Sequence, residues 1–317
     1  MATFPTTCAF PARVVAIDVG ATKITGGIVA YGAADAAPVV ETTKTVPTEA
    51  AKGGTSVLDK ICSLAAELAA GSESTPLGVG VGTAGRVDAK TGSIAYANDL
   101  MPGWTGQPLA SALRERTGLP AAVLNDVQAY GVGEARWGAG RGADTCVVIA
   151  AGTGVGGAII AHGRVVRGKH GFAGEVGHMA SAAATGIPCV CGGSGHLESV
   201  AAGSGIEARY LEATEEHLTG AEISKLAAEN EQPARRIIKE AGLALGQAIA
   251  GLTNILDPEV VILSGSVTKA GDEWRAEVMR GFASQIPEAQ RDLPIVDATL
   301  GAEAPLIGAA EHLLDTL

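Results

Sequence analysis

A chain of 317 residues exceeds what one core commonly organises, so two lobes are expected. Apolar residues reach 47% but aromatics only 3%, which leaves the cores to Ala, Val, Leu and Ile. A net charge of −11 argues against a nucleic-acid or anionic-membrane surface, although a nucleotide can still be held through backbone N–H groups and Mg²⁺.

The opening, MATFPTTCAFPA, has no basic segment and is broken by Pro5 and Pro11, so it is not read as a secretory signal. No apolar run approaches a membrane span. Residues 13–18 form a short buried-strand pattern. A Gly-Ala-Thr turn and a second strand, 24–31, follow, and 38–46 reads as a third strand. Residues 55–70 carry helical apolar spacing at Val57, Ile61, Leu64, Ala65 and Leu68. A strand over 77–82 ends in glycine. A helix is predicted over 107–117 and a strand over 121–124, which ends at Asn125-Asp126. A helix then runs to about Trp137. This order predicts a mixed sheet with helices, an α/β fold.

Residues 144–161 repeat the opening theme. VVAIDVGATKITGGIVA and VVIAAGTGVGGAIIA each read strand, Gly-Thr turn, strand, which suggests two related lobes. Beyond them lie a long helix, 232–256, and a strand, 259–263, ending in Ser264-Gly265-Ser266. A closing helix spans 305–317 and is expected to pack back on the first lobe. The expected boundaries are 1–120 plus 305–317 for a smaller lobe and 121–304 for a larger one, with crossings near residues 120 and 304.

Two glycine turns are candidates for holding a polyphosphate. In Asp18-Val-Gly20-Ala-Thr22-Lys23, Gly20 at positive φ would face N–H groups to a phosphate and Thr22 would add a hydroxyl. Asp18 could hold Mg²⁺ through water. The alternative is a hairpin with a polar tip, and the Walker spacing is absent. Gly152-Thr153-Gly154-Val-Gly-Gly is the partner turn, and Gly265 ends a strand where α/β folds often meet nucleotides. Asn125-Asp126 is either a helix N-cap or a carboxylate at a strand end able to accept a proton from a substrate hydroxyl. Asn98 is a polar-ligand candidate in a loop-rich stretch, where asparagine also serves turns.

The segment GEVGHMASAAATGIPCVCGGSGHLE holds Glu175, His178, Cys189, Cys191, His196 and Glu198. Two cysteines one residue apart, flanked by two histidines, suit tetrahedral zinc. Four protein ligands imply a closed, structural site that would hold the loop and place Glu175, His178 and Glu198. The chain has five cysteines, irregularly spaced, and Cys189 and Cys191 are too close for an ordinary disulfide. A reducing cytoplasm fits best.

Taken together, the turn at Asp18–Lys23, the 98–104 segment, Asn125-Asp126, Gly152–Gly157, Glu175-Val-Gly-His178 and CVCGGSGHLE resemble the ROK (repressor, open reading frame, kinase) sugar kinases over nearly the whole chain. The usual zinc motif there is C-x-C-G-x-x-G-C-x-E, and His196 replaces its third cysteine. Ala21 and Ser264 stand where glycine is common, and Ala84 where proline is. The resemblance implies two actin-like, ribonuclease-H-like lobes with a ligand cleft between them. It implies ATP and Mg²⁺, structural Zn²⁺, and transfer of phosphate to a hexose hydroxyl, usually the 6-hydroxyl. Asp126 would be the general base. Asn98, Asn125, Asp126, Glu175, His178 and Glu198 would bind sugar. Asp18, Gly20, Thr22, Lys23, Gly152, Thr153, Gly154 and Gly265 would line the nucleotide. His178, Cys189, Cys191 and His196 would bind zinc. Glucose is the expected sugar, with N-acetylmannosamine or N-acetylglucosamine as alternatives. A homo-oligomer, dimer or tetramer, is expected, and neither nucleic acid nor membrane as partner. ROK repressors carry an N-terminal winged-helix segment, whereas only about a dozen residues precede the first strand here, so the kinase branch is expected.

Overall fold

The computed structural model describes residues 10–317; Cys8 and the first nine residues of the opening segment considered for a signal lie outside them. The chain runs β1 (Ala12–Val19), β2 (Lys23–Tyr31), β3 (Val39–Pro47), α1 (Gly54–Gly71), β4 (Val79–Thr83), β5 (Arg86–Val87), β6 (Ile94–Tyr96), α2 (Leu109–Thr117), β7 (Ala121–Asn125) and α3 (Asp126–Trp137). It continues with β8 (Cys146–Ala151), β9 (Val155–Ala161), β10 (Arg164–Val165), α4 (Glu198–Ala201), α5 (Gly203–Thr214), α6 (Gly220–Ala228) and α7 (Gln232–Leu256). It closes with β11 (Val260–Ser264), α8 (Asp272–Gln285), β12 (Ile295–Asp297) and α9 (Ala304–Leu314). Among the described residues no helix is long and apolar enough to cross a membrane.

Two compact units result. One holds the chain up to Gly142 with Ala158–Ala173 and Thr299–Leu317; the other holds Ala143–Gly157 and Gly174–Ala298. The first division therefore falls after Gly142, not near residue 120 as the sequence suggested. The reason is pairing: β7 lies parallel to β4, with Val79 opposite Ala121 and Thr83 opposite Asn125, and α3 packs on α9. A segment hydrogen-bonded into one sheet stays with that sheet.

In the first unit the strand order is β3-β2-β1-β4-β7. The first three strands are antiparallel, and β4 and β7 run parallel to β1. This mixed five-stranded order is the ribonuclease-H-like arrangement. The sequence explains it: β1 and β2 are joined by a tight turn that permits only antiparallel pairing, whereas α1 and α2 supply the crossovers that parallel strands need. Both faces of β1 are covered, so its strand is a continuous apolar run. Val15, Ile17 and Val19 face a core with Ile61, Leu64, Leu113 and Trp104. Val14 and Ala16 face Leu306, Ala310 and Leu313 of α9. The closing helix does pack on this unit. An ion pair from Arg136 Nη1 to the buried Glu311 Oε2, 2.9 Å, joins α3 to α9. The buried Glu134 carboxylate accepts from the N–H groups of Ala139, Thr299 and Leu300 at 2.7–3.1 Å, fixing the point where the chain re-enters this unit.

In the second unit β8, β11 and β12 lie parallel, Val261 pairing with Val147 and with Ile295. The order of that sheet, β10-β9-β8-β11-β12, repeats the first sheet's, as the duplicated hairpin sequence led one to expect. The division between units falls within β9, whose last residues pair antiparallel with β10 in the first unit. The amphipathic α7 buries Ile237, Ile238, Ala241, Leu245 and Ile249 in the second unit's core, and packs chiefly on α8. Close approach is possible because Gly242 faces the Trp274 carbonyl of α8, where an added Cβ would sit 2.5 Å away.

Candidate functional site

In the first unit the candidate residues gather at the carboxyl ends of the three parallel strands, where ligands bind in open α/β sheets. Asp18 ends β1, Gly82 and Thr83 end β4, and Asn125 ends β7, with Asp18 directly opposite Gly82 and Thr83 opposite Asn125. A Cβ on Gly82 would lie 2.9 Å from the Ala129 Cβ, so the bare glycine lets α3 pack close against the end of β4, and this brings Asp126, at the start of α3, within electrostatic reach of Asp18. The Asp18 carboxyl is pushed up to about 7, first by burial and then by the Asp126 charge, with Lys23 partly offsetting both. Burial also raises Asp126, against the hydrogen bond it accepts from the Val127 N–H at 2.9 Å. Two carboxylates crowded together and short of solvent are arranged to receive a cation or a proton.

Asn125 is the N-cap of α3: its Oδ1 accepts from Val127 N at 3.0 Å and Gln128 N at 3.3 Å. Its Nδ2 donates to the Gly85 carbonyl at 2.9 Å. The capping alternative is thus realised for Asn125, and it frees Asp126, at the first helical position, from that task. Its amide also bonds the Asp126 carboxylate, which holds that carboxyl down against burial. Asn98 is exposed, and its Oδ1 accepts from Leu100 N at 3.2 Å, a turn contact.

The Asp18–Lys23 turn is held differently from the expectation. Gly20 is not in the left-handed region, and its N–H donates to the Lys23 carbonyl at 3.0 Å, so it is not directed at a phosphate. The turn is short enough that its own first amide closes it. Thr22 and Lys23 are exposed and available. Thr48, fully buried, fixes the turn: its hydroxyl donates to the Gly20 carbonyl at 2.7 Å and its N–H to the Thr22 carbonyl at 3.0 Å. Nothing in the sequence marks Thr48, which lies one residue past β3. Trp104, also buried, donates from its indole to Thr83 Oγ1 at 3.3 Å and the Ala84 carbonyl at 3.2 Å, bracing the end of β4.

In the second unit, Gly152-Thr153-Gly154 links β8 to β9 without positive φ. Space is the constraint instead: a Cβ on Gly154 would lie 2.6 Å from Glu198 Oε2. That oxygen accepts from the Val155 N–H at 2.9 Å, so Glu198, the first residue of α4, is tied to the glycine turn. Gly203 N donates to the Gly152 carbonyl at 2.7 Å, and the Ser204 hydroxyl to the Thr153 carbonyl at 2.8 Å. Gly265, at φ 94°, ends β11 against the Ala151 backbone, a position no Cβ can share. Beside them opens a cavity of about 400 Å³ lined by Thr153, Gly203, Ser204, Thr219, Ser266 and Lys269, among others. Its size suits a small-molecule ligand. Gly265 was anticipated; the start of α5 at Gly203-Ser204 and the start of α6 at Thr219-Gly220 were not, because short polar stretches carry no periodicity. The capping box of Thr219 and Glu222 was the available signal.

His178, Cys189, Cys191 and His196 do converge: one donor atom from each lies within 4.8 Å of all the others. Cys189 Sγ is 3.8 Å from His178 Nδ1, and Cys191 Sγ is 3.2 Å from His196 Nδ1. A tetrahedral zinc with bonds of about 2.0–2.3 Å needs donors about 3.3–3.8 Å apart, so the set fits with small adjustments. His178 Nε2 faces Glu175 Oε2 at 3.7 Å, which leaves Nδ1 as its metal-side nitrogen. Two isolated bridges, Ala180 with His196 and Pro188 with Ser194, shape the loop.

A ribonuclease-H-like sheet with its carboxylates at the strand ends, and a second sheet of the same order with a glycine turn and cavity, define an actin-like α/β protein. Residues 14–315 match the ROK family, and the chain belongs to it. It is 34% identical over 281 residues to a glucokinase of Halalkalibacterium halodurans, covering 83% of this chain and 84% of that one. Among solved structures it is similar to a ROK hexokinase from Thermus thermophilus, with TM-score 0.83, 31% identity and coverage of 94% and 97%. It is also similar to a ROK family glucokinase from Streptomyces griseus in complex with glucose and AMPPNP, with TM-score 0.77, 29% identity and coverage of 95% and 99%.

Proposed function

We propose that this protein transfers the γ-phosphate of ATP to a hexose hydroxyl, the 6-hydroxyl of glucose. The observation that carries the reading is the pairing of Asp18 and Asp126 at the strand ends in a chain of the ROK family. Phosphoryl transfer asks for positioning, charge neutralisation and one carboxylate to take the hydroxyl proton. Asp126 is assigned that proton. It sits at the start of α3, which Asn125 caps, and its carboxylate is oriented by Val127 N and the Asn125 side chain. Its raised pKa strengthens it as a base relative to an ordinary carboxylate.

Asp18 is assigned to the Mg²⁺ of the nucleotide, which when bound neutralises phosphate charge. A carboxylate this short of solvent suits a cation partner. Thr22 and Lys23 are assigned to the phosphates on the same turn, and Gly152, Thr153, Gly154 and Gly265 to the nucleotide from the second unit. The 400 Å³ cavity beside Thr153 and Ser266 is assigned to the nucleoside. Asn98, Asn125, Glu175, His178 and Glu198 are assigned to the sugar hydroxyls. Zn²⁺ on His178, Cys189, Cys191 and His196 would brace the loop that carries Glu175 and Glu198.

An ADP-release assay over glucose, mannose, N-acetylglucosamine and N-acetylmannosamine tests the reading. Glucose is expected to give the highest kcat/KM. Preference for an N-acetylhexosamine would correct the sugar, and no ADP release with any of them would overturn the function.

A further inference from the structure

Eleven aromatic residues serve the whole chain, as four Phe, three Trp and four Tyr, so those placed at the surface call for a reason. Tyr96 and Phe172 are 46% and 50% exposed, and burial does not account for them. What they share is Arg86. Its guanidinium carbon lies 4.3 Å from the Phe172 ring centre and 5.3 Å from that of Tyr96. Both distances are within cation–π range, so one cation is held by two rings.

The three residues come from three segments of the first unit. Arg86 is on β5, Tyr96 is its cross-strand partner on β6, and Phe172 is in the 167–173 segment. The neighbouring backbone is fitted to this contact. Gly171, at φ 76°, lies against β5, and a Cβ there would come within 2.7 Å of the Val87 carbonyl. A Cβ on Gly85, at φ 91°, would likewise come within 2.7 Å of the Tyr96 carbonyl. The segment's ends are fixed to the strand and helix that carry Asn125 and Asp126. Arg167 Nη2 donates to the Val123 carbonyl at 3.1 Å, and the buried Gln128 donates from Nε2 to the Ala173 carbonyl at 3.2 Å. Just before the second of those ends, Phe172 on Arg86 ties the segment to the hairpin.

We propose that Arg86, clasped by Tyr96 and Phe172, is a positioning residue for sugar binding. It straps the 167–173 segment to the β5–β6 hairpin. This inference rests on the sugar-kinase reading and on the sugar roles proposed above. Asn98 follows Tyr96 by two residues, Glu175 follows Ala173 by two, and Gly85, beside Arg86, takes the Asn125 amide. The strap therefore orders the approach to each sugar-reading segment without itself touching the reacting atoms. A strap of this kind acts on sugar affinity more than on the chemical step.

The test compares wild type with Arg86→Met, Arg86→Lys, Phe172→Leu and Arg86→Met/Phe172→Leu. Sugar KM, ATP KM and kcat are measured, together with hydrogen–deuterium exchange over residues 167–173. Arg86→Met is expected to raise sugar KM about 3- to 30-fold, the range of one to two such contacts, with kcat and ATP KM within about 2-fold. Arg86→Lys keeps the charge but not the planar face, and should recover part of the loss. The double variant should do little more than either single, and exchange in the segment should quicken in all but wild type. An unchanged sugar KM, a parallel rise in ATP KM, additive losses or unaltered exchange would overturn the strap. Wild type that phosphorylates no sugar would instead overturn the functional reading, and the exchange data would then judge the strap alone.

Discussion

Replacing Asp18 by asparagine should stabilise the nucleotide-free protein while disabling it. An ordinary aspartate titrates at 3.8, whereas this one is held up to about 7, chiefly by burial and secondarily by Asp126. The folded state therefore binds the Asp18 proton more tightly than the unfolded chain does. The linkage sign follows: stability falls as pH rises from about 4 to about 7, and stays low above it. The difference of roughly three pH units corresponds to a ceiling of about 4 kcal/mol at pH 8, and about 2 kcal/mol at pH 5, where the folded state is still protonated. Asparagine keeps the shape without the charge. The stabilisation of Asp18→Asn over wild type should thus grow with pH.

Thermal unfolding of both proteins in chelator, at pH 5, 6, 7 and 8, measures this. If half the ceiling is realised, the gain at pH 8 is about 2 kcal/mol, or about 4–8 °C in Tm for a unit of this size. It should shrink by more than half at pH 5. Activity with ATP and sugar should fall by roughly 10²-fold or more at every pH, because a positioned charge has been removed. A Tm gain independent of pH, or a loss of stability at pH 8, would refute the reasoning. So would full activity, since the strain at Asp18 would then serve no catalytic purpose.

Asp126→Asn should lower kcat by roughly 10²–10⁴ and leave sugar binding partly intact, because Asn125 still caps α3 and an asparagine Oδ1 can still accept from Val127 N; turnover near wild type would remove Asp126 as the base. Thr48→Val deletes the 2.7 Å bond to the Gly20 carbonyl, and should cost about 1 kcal/mol and raise ATP KM with little change in sugar KM, as steady-state kinetics over both substrates would show. Protein purified without chelator should carry about one zinc per chain by elemental analysis; His196→Cys should keep it and Cys191→Ala should lose most of it.

How much of this was legible beforehand follows from the range of the forces involved. Local patterns reported themselves: α7 spans residues 232–256 as its apolar spacing indicated, and the duplicated hairpins appear as β1–β2 and β8–β9. The convergence of His178, Cys189, Cys191 and His196 was readable because the four fall within nineteen positions, and the loop has only to fold on itself to join them. Residues acting across long separations gave no such signal. Thr48 reaches back twenty-eight positions to Gly20, and Glu134 reaches 165 positions forward to Thr299. The boundary after Gly142 depends on which sheet β7 joins, a pairing of residues over forty positions apart. Glycine was misread for a related reason. At Gly20 a conformational role was expected and its φ is not positive, whereas at Gly82 and Gly154 the surrounding contacts show that what matters is the absence of a Cβ, and at Gly265 both apply. A composition can announce that glycines are many, but only the neighbours of each one reveal what its missing side chain makes room for. At Gly82 that room is taken by Ala129 of α3, the helix that opens with Asp126.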